Sequence, residues 1–435
     1  MLLCKLFLVS LRIDTLALIY IDDLTVGMVL AEDLVTPTGR FVLAAGSSLQ
    51  SEHLKILKSW GIVEAAIAES SLGGEYCQNQ ELSSEFIEQA ENYLQQRFIL
   101  NDLDQEPISS LYRHIVHHLA LNLQQGGTPA VSLAAVLPAV PQVCPPPLSI
   151  PQLLKGDVDI VSLPTVYTHI VELLNQPNSS SHQLAELISK DASLTVRLLR
   201  LVNSPFYGFS GKIDSVSRAV SILGTNELSV LTLGITVIKQ FKNIPSDLFN
   251  MDSFWRHSIR CGLFSKVLAD HLGEKDAEKY FIGGLLHDIG RLILLSRMPA
   301  QYSAVIVRAR EQRLPVYRAE QDCLQTDHSI VGKMLAEKWR LSPALIRMIG
   351  SHHSPRLAHY STEACIVHLA DILAHACGHE VMLIDEIPEL QLKAWDELGL
   401  SEKLIVPIIK QVDGEFKSVV RVFFGDSGTE DEGEK

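Results

Sequence analysis

The chain concentrates its chemistry in one phrase, Gly283-Gly284-Leu285-Leu286-His287-Asp288-Ile289-Gly290-Arg291. An imidazole beside a carboxylate at the end of an apolar helical run lets both groups turn toward one cation. Gly290 suits either a helix C-cap or a close backbone approach. A lone His-Asp pair is more often a surface accident, but this one has company. His257 lies upstream, and His328, His352, His353 and Asp371 lie downstream, each inside or beside an apolar-periodic helix. Mixed imidazole and carboxylate donors suit Mn(II), Fe(II) or Mg(II). The absence of cysteine from this set argues against a structural zinc. Such an ion lowers the pKa of a bound water.

These residues must be delivered by helices. Phe254-Trp255-Arg256-His257-Ser258 opens one that continues through Leu263 and Val267, and there His257 reads equally as a hydrogen-bonded core histidine. Asp371 belongs to a second, Ile366 to His375, with His368 three residues before it and His375 four after, on the same face. Either histidine could orient the carboxylate. A bundle can bring such positions to one point. Two carboxylates left there without a cation would repel and raise each other's pKa. The pocket is therefore expected to hold a Mn, Fe or Mg ion, or else an arginine, with Arg291 and Arg256 nearest in sequence.

The series resembles the HD superfamily of metal-dependent phosphohydrolases, whose pattern H…HD…D falls here on His257, His287, Asp288 and Asp371. His328 and the His352-His353 pair resemble the longer ligand set of the HD-GYP cyclic-di-GMP phosphodiesterases and would supply a second metal. In that resemblance Asp288 and Arg291 are the catalytic candidates. Two departures stand out. Arg291 replaces the lysine that follows His-Asp-Ile-Gly in HD-GYP enzymes, a change of fork and reach at a phosphate. After His353 the chain reads Ser-Pro-Arg-Leu-Ala-His-Tyr-Ser-Thr, without an Asp-Gly-x-Gly-Tyr-Pro phrase. Upstream, Asp191 to Gly208 (DASLTVRLLRLVNSPFYG) and Ser217 to Gly224 (SRAVSILG) resemble the HDOD domain, a bacterial signalling family related to the HD hydrolases. The two resemblances together cover about residues 151 to 375. They imply a mainly α protein that acts as a regulatory, protein-binding module and has kept its metal ligands. A metal-dependent phosphohydrolase acting on a nucleotide or phosphodiester is the alternative.

Around this core the chain reads as several parts. Residues 1–70 form a small α/β module with short strands punctuated by Gly and Pro37, a helix capped by Ser51 and ended by Gly61, and a closing strand Ile62 to Ala68. Residues 71–125 carry two amphipathic helices, Ser83 to Phe98 and Pro107 to Gln125. The second bears His114, His117 and His118, which without a nearby carboxylate read as a solvated face. Residues 126–150, with Pro145-Pro146-Pro147, form a linker between this N-terminal half and the helical body at 151–424. The acidic tail 425–435 is expected to be disordered. Within the body, Asn203, Ser204 and Tyr207 sit at a helix stop and serve folding, since no charged group accompanies them.

The whole chain of 435 residues carries 37 basic and 51 acidic side chains, a net charge of −14, which argues against broad nucleic-acid binding. Its seven scattered cysteines suggest neither a disulfide framework nor a zinc ribbon, and Cys261, Cys365 and Cys377 read as core residues in a reducing cytoplasm. Neither the interrupted apolar N-terminus nor any other stretch reaches membrane length without a charge. A signalling protein is the expected partner, with a nucleotide as a candidate ligand and a homodimer as a candidate assembly.

Overall fold

Strands of two to five residues cannot bury a face alone, so those of the N-terminal stretch close on a shared apolar cluster. The computed structural model describes residues 16–20, 24–35, 41–59, 64–68, 82–126, 146–155, 165–174, 176, 180–207, 209, 211–240, 249–378 and 386–425. The chain divides into two compact units, Met1–Ser83 and Ser84–Lys435. In the first, β1 (Leu16–Tyr20) pairs antiparallel with β4 (Glu64–Ala68), and β2 (Leu34–Val35) with β3 (Phe41–Leu43). Helix α1 (Ser51–Ser59) lies between β3 and β4. Leu24, Met28, Leu30, Leu34, Leu49, Leu57, Ala65 and Ile67 form the core. The α/β character matches expectation. Strand β1 was not anticipated, because its pairing with β4 is a contact across the whole module. Gly61 lies outside the described residues.

The second unit is helical. In chain order its helices are α2 (Ser84–Arg97), α3 (Ile108–Gln124), α4 (Ile150–Leu153), α5 (Thr165–Leu174), α6 (Ser181–Ser189), α7 (Ala192–Val202), α8 (Val216–Leu223) and α9 (Thr225–Gln240). Then follow α10 (Met251–His271), α11 (Glu278–Leu286), α12 (Ile289–Arg297), α13 (Pro299–Gln312), α14 (Val316–Leu324) and α15 (His328–Lys338). The last are α16 (Pro343–Ser351), α17 (Thr362–Cys377), α18 (Leu392–Leu398) and α19 (Ile405–Phe424). Side-chain caps start many of them: Asp191, Ser215, Asn250, Asp327, Ser342 and Ser361 each accept from a backbone N–H three residues on. Ser180 and Gln183 form a reciprocal capping box at α6.

Helix α10 is the axis. Every residue from His257 to Ala269 is buried, the mark of a helix packed on all sides. Its neighbours are α11, α17 and α19. Arg260 leaves this core by placing its guanidinium 3.8 Å over the Phe416 ring and 2.6 Å from Asp413 on α19.

The pair α2 and α3 packs on this unit instead of standing apart before a linker. Arg97 donates to the His375 carbonyl at 2.7 Å, and Asn101 reaches the Ile387 and Pro388 carbonyls at 3.1 Å. The reason is apolar area: α3 buries Leu111, Ile115, Leu119 and Leu123 on one face, and α17 and α19 supply the covering surface. Of the expected linker, residues 127–145 lie outside the described residues, as does nearly all of the acidic tail. His117 and His118 are exposed on α3, and no candidate metal group among the described residues includes them.

Asn203 acts as a staple. Its Nδ2 donates to the Leu199 and Ile213 carbonyls and its Oδ1 accepts from the Ile213 N–H, all at 2.7 Å. Ser204 Oγ donates to the Leu201 carbonyl at 2.7 Å. The loop before α8 is thereby tied to the end of α7. Asn203→Ala removes all three bonds and is expected to cost about 1–3 kcal/mol, with Asn203→Asp intermediate, as read by thermal or urea denaturation. An unchanged midpoint in Asn203→Ala would count against the staple.

Glu415 on α19 makes a pH-dependent contribution. Burial raises its pKa from 4.5 to about 7, only partly offset by Lys266. A carboxyl whose folded pKa lies above its unfolded value destabilises the fold as pH rises from about 4.5 to about 7, and not below. Glu415→Gln is expected to raise stability at pH 8 by roughly 1–2 kcal/mol, allowing for solvent screening, and to leave it nearly unchanged at pH 4. Equal effects at both pH values would refute this.

Candidate metal centre

The His-Asp pair sits at a helix junction. Leu286 ends α11, His287 and Asp288 form the turn, and Ile289 starts α12. Gly290 is no C-cap: a Cβ there would lie 2.0 Å from the His328 carbonyl oxygen and 2.5 Å from the Gly332 N. Its bare Cα lets α12 and α15 touch backbone to backbone, which sets His328 beside Asp288. The other candidates come from ends and middles of further helices. His328 is the first residue of α15, His352 follows the last residue of α16 with His353 next, and His257 and Asp371 lie within α10 and α17.

All seven expected metal-ligand positions converge. Asp371 Oδ1 lies 3.1 Å from His257 Nε2, 3.4 Å from His287 Nε2 and 3.4 Å from His375 Nε2. Its Oδ2 is 4.0 Å from His353 Nδ1. Asp288 Oδ1 is 3.0 Å from His328 Nε2 and 3.7 Å from His352 Nε2, while its Oδ2 is 3.6 Å from His287 Nε2 and 3.0 Å from Arg291 NH1. His328 and His353 approach through their Nε2 atoms at 2.8 Å. The Tyr317 ring stacks on His353 at 4.6 Å.

Backbone and side-chain partners set the ring faces. His287 Nδ1 donates to the Gly284 carbonyl at 2.6 Å and His352 Nδ1 to the Ile349 carbonyl at 2.9 Å. Each bond turns an Nε2 toward the centre, the nitrogen that a metal would take. Those two Nε2 atoms are buried and make no hydrogen bond, and neither do the Asp288 oxygens, which are held by charge contacts alone. His328 is gripped on its far side by Glu320, whose Oε2 accepts from its Nδ1 at 2.6 Å and its backbone N–H at 2.8 Å. Tyr302 donates to Glu320 Oε1.

The charges are strongly coupled. Burial pushes the Asp288 carboxyl up, but Arg291, His287 and His328 prevail and hold it well below the ordinary range. Against the same burial penalty, His375, His257 and His287 hold Asp371 down. Burial lowers His328, yet Glu320 and Asp288 lift it to about 9. The centre thus requires positive charge around two carboxylates.

The donors fit a divalent ion. Asp288, His328, His352 and His353 each offer a ligand atom within 4.8 Å of the others, as do His257, His287 and Asp288, and His257, Asp371 and His375. Of the two histidines flanking Asp371 on its helix, His375 faces the carboxylate. His368 turns away, its Nδ1 donating to the His352 carbonyl and its Nε2 accepting from the Gln391 N–H. Arg256 pairs with Asp252 at 2.6 Å. Glu320 and Tyr302 carried no motif, although an acid on the buried face of α14, eight residues before His328, is a usable signal.

Because Gly290 admits no Cβ, Gly290→Ala is expected to force α12 from α15, at about 1–3 kcal/mol or more. It should lower the thermal midpoint and loosen His328 from Asp288. An alanine variant of unchanged stability would contradict the close approach.

The HDOD domain family model matches residues 160–355. An uncharacterised protein of Treponema pallidum is 27% identical over 198 residues, 45% of this chain and 38% of that protein. Ribonuclease Y of Mycoplasma capricolum is 25% identical over 234 residues, 53% of this chain and 40% of that enzyme. The matches thus span about two fifths of these curated relatives. A solved HDOD domain protein of unknown function from Geobacter sulfurreducens is 26% identical, with 60% of this chain and 93% of that one covered, at a TM-score of 0.49. The matched family model, ending just beyond the paired histidines that close on Asp288, identifies residues 160–355 of this chain as an HDOD domain.

Proposed function

We propose that this HDOD protein is a bacterial signal-transduction module whose buried His/Asp centre holds a divalent metal as a structural or sensory element. The observation that carries this reading is burial. His287 and His328 are 0% exposed, Asp288 is 1% and Asp371 2%. A phosphodiester of nucleotide size cannot reach such a centre unless helices move apart. The metal ligands in this reading are His257, His287, Asp288, His328, His352, His353 and Asp371, with Mn, Fe or Mg as the ion. When bound, the ion supplies the positive charge that the two carboxylates need and, for a hydrolase, a Lewis acid toward phosphate. Arg291 pairs with Asp288, so it shares that task at one carboxylate and leaves Asp371 to the histidines.

A second reading, a phosphohydrolase acting on a nucleotide or phosphodiester, draws on a specific feature. Asp288 belongs to two overlapping donor groups, so one carboxylate can serve two ions. The likeness to Ribonuclease Y points the same way. In that reading Arg291 pairs with the phosphate. Among the described residues no helix is long and apolar enough to cross a membrane. We place the protein in the cytoplasm, with a signalling protein as its partner and a homodimer as a candidate assembly.

The test uses the full chain purified without chelator. Metal analysis is expected to find a divalent ion, and Asp288→Asn should weaken its retention by roughly 10–100-fold or more. A panel of cyclic and linear nucleotides should show no turnover above the Asp288→Asn background. Metal-dependent turnover abolished by Asp288→Asn would favour the hydrolase instead, and a metal-free wild type that is fully folded would sink both readings.

A further inference from the structure

Cys261 was read from the sequence as a plain core residue, one turn after His257 on α10. Its position says more. Its Sγ, a ligand nitrogen of His287 and a carboxylate oxygen of Asp371 lie within 4.8 Å of one another. The residue is fully buried. Helix packing holds it there: a Cβ on Gly284 would lie 2.7 Å from the Cys261 carbonyl oxygen and 2.5 Å from Ser265 Oγ. The bare Gly284 therefore lets α11 press directly on α10, three residues before His287.

A second observation points to a ligand at this spot. His287 Nε2 is buried without a hydrogen-bond partner, and its ring is fixed by the Nδ1 bond to Gly284. Two donors bonded to one ion at about 2.0 to 2.3 Å lie no more than roughly 4.5 Å apart. Shifts of a few tenths of an ångström would let one ion meet all three atoms.

We infer that Cys261 is a sulfur donor to the metal held by His287 and Asp371, which makes the centre a mixed thiolate, imidazole and carboxylate site. The inference rests on the metal-binding reading above. On binding, the S–H bond breaks heterolytically: the electron pair stays on sulfur and forms the metal bond, and the proton leaves to buffer. A thiolate shifts preference away from magnesium, a hard ion, toward iron, cobalt or zinc. That narrows the ions expected from the His and Asp residues alone.

Cobalt(II) separates the alternatives, because its visible d–d bands report any tight low-symmetry site, whereas a sulfur-to-cobalt charge-transfer band in the near ultraviolet reports only a thiolate. The chelator-stripped full chain loaded with cobalt(II) is expected to show both. Cys261→Ser should lose the charge-transfer band and keep the d–d bands, while Cys365→Ser, changed at a buried cysteine outside the centre, should keep both. Visible bands without charge transfer in the wild type, or charge transfer that survives Cys261→Ser, would overturn the sulfur donor and leave the metal site standing. No cobalt bound at all would overturn the metal reading and this inference with it. Should Cys261→Ser fail to fold, cadmium-113 resonance of the wild type decides: a shift in the sulfur-ligated range supports the donor, and one in the nitrogen and oxygen range overturns it.

Discussion

Two carboxylates, Asp288 and Asp371, stand in the middle of a helical core, and much of the second unit is arranged around that fact. An uncompensated charge in such a place costs several kcal/mol, so each is ringed by cationic or polar nitrogen groups. Asp288 faces Arg291, His287, His328 and His352, and Asp371 faces His257, His287, His353 and His375. His287 touches both and couples them. The same donors that make the fold tolerable are grouped as a cation site would group them.

Holding so many polar groups at one point needs helices closer than ordinary side chains allow. Gly290 brings α12 against α15, and Gly284 brings α11 against α10. Helix ends then supply what helix middles cannot. The carbonyls of Gly284 and Ile349 accept from His287 and His352, so backbone groups at two helix ends fix the imidazole faces. Glu320 does the same for His328 with a carboxylate. The outer partners thus determine which nitrogen each ring presents to the centre.

The donor set answers an electrostatic need of the core whether or not chemistry follows. The side chains of His353 and His375, at 9% and 15% exposed, form the part of the centre nearest solvent. Tyr317 stacked on His353 places an aromatic ring at that edge, where the state of the centre meets the surface.

Much of this was legible in the chain itself. Apolar periodicity and Ser, Asp and Asn caps marked most helix starts, since those signals act within four residues. The His and Asp residues of the centre were legible by type and spacing. What the chain alone left open was which neighbours complete the site. Glu320, Tyr302 and Cys261 carry no motif, and their places beside the centre arise only when α10, α11, α13, α14 and α15 pack. His368 and His375 looked equivalent on one helical face, yet the approach of His352 and Gln391 turned one away and left the other at Asp371. The pairing of β1 with β4 and the packing of α2 and α3 against the rest of the second unit are likewise contacts between distant segments. By itself the sequence determined the helices and the polar residues they carry. Tertiary structure alone decided the direction of each ring and the partners behind it, because those depend on backbone approach across the bundle and not on local spacing.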